Sequence, residues 1–294
     1  MKKTITMICG AVCALFLMIL GGTSFSSCTA GSASSDSTAK PVPLNITVFL
    51  DLSNRLDSLA NNLNSKVPQM ERDTAIINKI VSMFVDTCVA HKIADNENHL
   101  QVQFHPMPQS SDIAAVAANL NIDMAAIKQP KEKKSRLMKL QDDFSKNVAL
   151  IYDQTLKDQN WQGSDIWGFF CNKNPKVDQL CVREGYRNII VILTDGYVQY
   201  LGNMKQDGNA YSYITPDMIK KVPEISLMAP RQGLDNLEVL MLEVNPLHSS
   251  CQEKLISVLE KWLKDMGVKH YVVTETDGNK ENTKTIIENF FKGK

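Results

Sequence analysis

Asn45-Ile46-Thr47-Val48-Phe49-Leu50-Asp51-Leu52-Ser53-Asn54-Arg55 is an apolar, β-rich run that stops at a carboxylate. Between Ile46 and Leu50 only Thr47 is polar, so both faces of the predicted strand are buried. Two-sided burial marks a central strand of a parallel sheet. Its end delivers Asp51 and the Ser53 hydroxyl to a sheet edge, with Arg55 close behind. Asn188 to Leu193 repeats the pattern and runs straight into Thr194-Asp195-Gly196. A third apolar strand, Leu237 to Val244, ends at Asn245-Pro246, and Val268 to Thr274 is the last.

Amphipathic segments separate these strands. Glu71 to His91 places Ile76, Ile77, Ile80, Phe84 and Cys88 at three- and four-residue spacing, the period of a helix with one buried face. Lys131 to Leu156 does the same with Leu137, Leu140, Phe144, Val148, Ile151 and Leu156, as do the stretch after Pro246 and Glu281 to Phe291. Leu100 to His105 alternates Gln101 and Gln103 with Val102 and Phe104, which predicts a strand with one wet face toward a sheet edge. Ser111 to Ile127 reads as helical, and Ser164 is placed to cap a short helix starting at Asp165. Strands alternating with helices predict an α/β fold, a doubly wound, mostly parallel Rossmann-like sheet with helices on both faces. Residues 44–294 read as one domain, with a helical insertion around 107–160 and a loop insertion around 197–233.

Lys+Arg and Asp+Glu are equal at 32 each, so the chain has no basic footprint for nucleic acid. Lys2 and Lys3 precede an unbroken apolar run from Ile5 to Leu20, followed by small residues up to Cys28, the layout of a secretory signal. Phe25-Ser26-Ser27-Cys28 resembles the lipobox of bacterial lipoproteins, with Phe where Leu is usual. That resemblance implies a signal peptide over 1–27, lipid on Cys28, a flexible tether over 28–43 and a body anchored to the membrane outside the cytoplasm. Thr29, with no Asp after the cysteine, implies the outer membrane under the same family's sorting rules. An uncleaved membrane anchor is the other reading of the apolar run. In an exported chain, Cys88, Cys171, Cys181 and Cys251 permit two disulfides. Cys171–Cys181 would staple the loop-like stretch between them, and Cys88–Cys251 is the remaining pair.

In open parallel sheets ligands bind beyond the carboxyl ends of the strands, where Asp51 and Asp195 both stand. If their strands are neighbours, two carboxylates and a hydroxyl converge on a site for a hard divalent cation such as Mg²⁺. Asp51-Leu52-Ser53-Asn54-Arg55 resembles the Asp-x-Ser-x-Ser motif of von Willebrand factor A-type domains. Gly163-Ser164-Asp165-Ile166 resembles the stretch that supplies that family's middle threonine, and Thr194-Asp195-Gly196 resembles its third motif. The resemblance implies a metal-ion-dependent adhesion site of Asp51, Ser53, Ser164 and Asp195. Arg55 departs from the pattern, which has a second serine there. Either Arg55 points outward and a cation binds, or its guanidinium forks onto Asp51 or Asp195 and stands in for the cation.

These features predict an exported, lipid-anchored binding module for an unknown protein partner, without catalysis. A Mg²⁺-dependent phosphatase-like hydrolase using Asp51 is the rival, although Ser53 stands where its general acid belongs. A structural envelope lipoprotein with a vestigial site is a third possibility. The five histidines show no metal-binding spacing, and no P-loop, Gly-x-Ser-x-Gly or GxGxxG motif occurs.

Overall fold

The strand that opens with Leu44 is the second of four parallel strands at the centre of the sheet, flanked on both sides by chain from far along the sequence. The structure is a computed structural model that describes residues 41–56, 68–107, 110–157, 163–171, 177–200, 202 and 205–293. The expected signal segment, Cys28 and the expected tether as far as residue 40 lie outside the described residues.

In chain order the elements are β1 (Leu44–Leu50), α1 (Gln69–Ala90), β2 (His99–Gln103), α2 (Ser111–Ala118), β3 (Asn121–Asp123), α3 (Pro130–Lys157), α4 (Ile166–Cys171) and α5 (Val177–Cys181). They continue as β4 (Arg187–Leu193), β5 (Gln206–Asp207), β6 (Ala210–Tyr211), α6 (Pro216–Lys221), β7 (Ser226–Leu227), β8 (Glu238–Val244), α7 (Gln252–Asp265), β9 (His270–Glu275) and α8 (Lys280–Phe291). The main sheet has the order β3-β2-β1-β4-β8-β9, parallel except for β3. A small second sheet, β5-β6-β7, occupies the excursion after β4. This is the Rossmann-like α/β fold that the alternation predicts.

Each face of the sheet buries its own core. Ile46, Val48 and Leu50 of β1 pack with Ile77, Ile80 and Phe84 of α1, Phe144 and Val148 of α3, and Ile287 of α8. Phe49 points the other way, into Phe169 of α4 and the Leu255, Leu259 and Trp262 stripe of α7. The alternating side-chain direction of a strand is what lets one run of apolar residues serve both cores. Phe49, Phe169, Phe170 and Trp262 form a chain of ring contacts with centroids 4.8–5.6 Å apart.

Three local expectations are corrected. The glutamine face of β2 is not wet: Gln101 is buried, and its amide donates to Thr47 Oγ1 and to the Leu180 carbonyl. The edge position belongs instead to β3, which pairs antiparallel with β2 and ends the expected helix at Ala118. Beside Gln101, His99 is buried between Asn45 and Asn121. Burial first, then Arg183, lowers the His99 pKa to about 4.

The disulfides do not form. Cys88, Cys171, Cys181 and Cys251 are all free thiols. Cys88 belongs to one core and Cys251 to the other, so the sheet stands between them. Cys88 is engaged with Asn96 and Asn98, and burial raises its thiol to about 11. Cys181 is buried against the Thr47 side chain, and burial raises its thiol to about 12. The stretch 172–176 between it and Cys171 is outside the described residues. Among the described residues no helix is long and apolar enough to cross a membrane.

Candidate functional site at the carboxyl edge of the sheet

β1 and β4 are parallel neighbours in register, with Leu50 opposite Leu193. Asp51 and the Thr194-Asp195 pair therefore leave the sheet side by side. The ladder runs one step further, because the Asp51 amide donates to the Leu193 carbonyl at 3.0 Å. Gly196 then turns the chain at φ +90°, and a Cβ there would stand 2.9 Å from Val244 and 3.1 Å from Leu255. Only glycine meets both demands.

Asp51 is 1 % exposed and has one partner on each carboxylate oxygen. The Ser53 amide donates to Oδ1 at 3.0 Å, and the Thr194 hydroxyl donates to Oδ2 at 2.6 Å. Thr194 is held in turn by the Gly196 amide, which donates to its Oγ1 at 3.0 Å. Asp195 is half-buried and accepts from the Tyr197 amide at 2.9 Å. Burial and the neighbouring Asp51 carboxylate raise its pKa to about 7.

Ser164 comes from a different part of the chain. The next residue, Asp165, donates its amide to the carbonyl of His105 just past β2. The preceding Gly163 lies against the Gln199 carbonyl in the segment after β4. Ser164 is thus tied to the ends of the strands on either side of β1. It does not cap α4: Asp165 does, with its Oδ1 accepting from the Gly168 amide at 2.6 Å. Ser164 is buried, and among the described residues its hydroxyl has no hydrogen-bond partner. A buried polar group is nearly always paired, so the Ser164 hydroxyl has bonding capacity that no described residue uses.

Arg55 takes neither of the expected orientations. It is buried, and its guanidinium pairs with Asp73 of α1 at 2.6 Å instead of forking onto Asp51 or Asp195. Its other bonds go to the main chain, Nε to the Asp51 carbonyl at 2.9 Å and Nη2 to the Leu193 carbonyl at 3.0 Å. Burial alone would lower its pKa, but Asp73 and then Asp51 outweigh that and raise it. Asp73 also accepts from the Tyr152 hydroxyl at 2.7 Å and from Gln69 at 2.9 Å. Behind it, Arg72 forks onto Glu243 at 2.7 and 3.0 Å.

The sequence motifs named Asp51, Ser53, Ser164 and Asp195 but gave no role to Thr194 and no sign of Asp73. Thr194 was legible as part of a strand end; its hydroxyl contact was not. Asp73 lies in the first turns of α1, and only its contact with Arg55, 18 residues earlier in the chain, gives it meaning. Among the described residues no group of three or more His, Cys, Asp or Glu is arranged to hold a metal ion. A cation here would rest on two carboxylates and two hydroxyls.

No protein-family model matches the chain, and no curated protein matches it in sequence. One solved structure that is similar in shape is a pilus adhesin, SpaC from Lactobacillus rhamnosus GG, at 11 % identity and TM-score 0.40. The likeness covers 87 % of this chain and 30 % of the adhesin, so this chain spans less than a third of that protein. A superposition this loose says nothing of what the chain binds.

Proposed function

We propose that the domain is a non-catalytic recognition module that binds a macromolecular partner across the carboxyl edge of its sheet, with a divalent cation at Asp51, Ser53, Ser164 and Asp195. The charge balance around the edge carries this reading. Arg55 with Asp73 and Arg72 with Glu243 are neutral buried pairs. Asp51 and Asp195 have no such cationic partner among the described residues, and the Ser164 hydroxyl is unpartnered there. Burying unpaired carboxylates is costly, and a divalent cation offsets both charges at once. All-oxygen ligands suit Mg²⁺ or Mn²⁺, which keep waters in their open positions. The cation would supply a point of attachment for an oxygen donor of the partner. The reading agrees with the von Willebrand factor A-type resemblance, with Arg55 turned inward where that family has its second serine.

The hydrolase reading has less support. A nucleophilic Asp51 needs a free carboxylate oxygen facing substrate, whereas both of its oxygens are engaged and the residue is 1 % exposed. The lipobox resemblance supports attachment through Cys28 to the outer membrane, with the domain displayed in the envelope. Calorimetry with Mg²⁺ and Mn²⁺ tests the site. Binding lost in Asp195→Ala supports it, no binding at millimolar cation leaves the vestigial-site reading, and phosphate-ester turnover that depends on Asp51 makes the protein a hydrolase.

A further inference from the structure

The main sheet ends in β3 on one side and in β9 on the other. An edge strand offers unpaired amides and carbonyls to other chains, and proteins blunt such edges with short strands and charge. β3 follows that rule, with three residues and Asp123 at its end. β9 does not. It runs for six residues, His270-Tyr271-Val272-Val273-Thr274-Glu275, with an apolar centre and neither proline nor lysine within it. Among the described residues no strand lies beyond it.

The Thr276 amide donates to the Val244 carbonyl at 3.0 Å and so faces β8. Main-chain bonding alternates along a strand, so His270, Val272 and Thr274 face β8 as well. The amides and carbonyls of Tyr271, Val273 and Glu275 therefore point outward. The two ends of this edge carry opposite charge. Lys269, just before the strand, is 77 % exposed and only loosely paired with Asp235 at 3.6 Å. Glu275 is exposed and has no ion-pair partner among the described residues.

Such an edge is complementary to itself. In an antiparallel pair about a twofold axis at Val272, Tyr271 lies opposite Val273 of a second copy, and Lys269 lies opposite Glu275. Both are hydrogen-bonded positions that use the outward groups, while Val272 meets its own symmetry mate in a close, non-hydrogen-bonded pair. One twofold operation thus satisfies the main chain, the apolar centre and the charge at both ends.

We propose that β9 is a homodimer interface, at which a second copy of this chain continues the sheet in antiparallel fashion. A strand of unrelated sequence would meet the same amides but not both terminal charges. The interface is separate from Asp51 and Asp195, so its test is run with chelator present.

The test is sedimentation of the purified full chain over a concentration series, in density-matched detergent. A reversible dimer is expected. Lys269→Glu sets like charges opposite Glu275 and should weaken the dimer by about tenfold, and Lys269→Glu/Glu275→Lys should restore it. Both positions are exposed, so the melting temperature should hold. Val272→Cys, oxidised with diamide, should give a disulfide-linked dimer that the wild type does not, because non-hydrogen-bonded partners stand close enough to bridge. The proposal is overturned by a monomer at every concentration, by a dimer indifferent to Lys269→Glu, by failure of the charge swap to restore association, or by no bridging through Val272→Cys. A monomer whose Tyr271 and Val273 amides resist hydrogen exchange would show that the chain itself covers this edge.

Discussion

Replacing Arg55 with methionine removes one half of the Arg55–Asp73 pair, in which the side chains are 2 % and 0 % exposed. Breaking a buried pair this way costs roughly 3–5 kcal/mol, because the surviving charge has no compensation. Asp73 has one escape, which is to take up a proton. Its pKa is already raised by burial, with Arg55 the chief opposing influence, and in the variant that opposition is gone. Protonating a carboxyl of ordinary pKa costs about 1.4 kcal/mol per pH unit above that pKa, or roughly 4 kcal/mol at pH 7 and about 1.5 at pH 5. The sign follows: a carboxyl whose folded pKa is raised adds stability at low pH that is lost as pH rises. Arg55→Met should thus be destabilised by roughly 4 kcal/mol at pH 7, and by less than half of that at pH 5. For a domain of this size the pH 7 figure corresponds to a melting temperature lower by roughly 8–16 °C. Asp73→Asn leaves the opposite charge stranded, and arginine cannot give up its proton, so its deficit should barely change between pH 5 and 7. Urea unfolding of both purified variants, followed by circular dichroism at the two pH values, separates these cases. A cost below about 1 kcal/mol for Arg55→Met at pH 7, or one that does not change with pH, would refute the reasoning.

Ser164→Ala should leave thermal stability unchanged or slightly raised, since the hydroxyl has no partner among the described residues, while lowering Mn²⁺ affinity at least tenfold by calorimetry. Lost stability with unchanged cation affinity would mean that the hydroxyl serves the fold. His99 has its pKa depressed to about 4 by burial and Arg183, so the folded state resists a proton that the unfolded chain accepts near 6.5. Stability should therefore fall as pH drops from about 6.5 to 4, and His99→Gln should flatten that part of a stability–pH curve. Thiol titration of the purified protein in denaturant without reductant should find Cys88, Cys171, Cys181 and Cys251 all reactive. A mass two or four units below the reduced chain would contradict the free-thiol assignment.

The sheet was legible because its central strands are apolar on both faces, a pattern that few other environments tolerate. β3 was not, since three residues of Asn-Ile-Asp carry no periodic signal and borrow their structure from β2. Gln101 and Gln103 misled for a related reason. Alternating polarity signals a face that is hydrogen-bonded, and here protein supplies part of the bonding that water would. At the site, strand ends located Asp51 and Asp195, because carboxylates that follow buried runs must emerge at an edge. Arg55 was visible as an anomaly, but its partner depends on how α1 packs under the loop. Side chains that point inward from a loop take their meaning from elements distant in sequence.

The polarity of β1 has a consequence for how the domain can be used. Leu44 stands at the amino edge of the sheet, where its amide meets Asn98, and Asp51 stands at the other end of the same strand. Seven residues of extended chain put roughly 23 Å between them. Leu44 and the residues just before it stand at one end of the strand, while Asp51 and Asp195 lie at the carboxyl edge at the other. The surface that carries Asp51 and Asp195 is thus a full strand length from the end at which β1 begins.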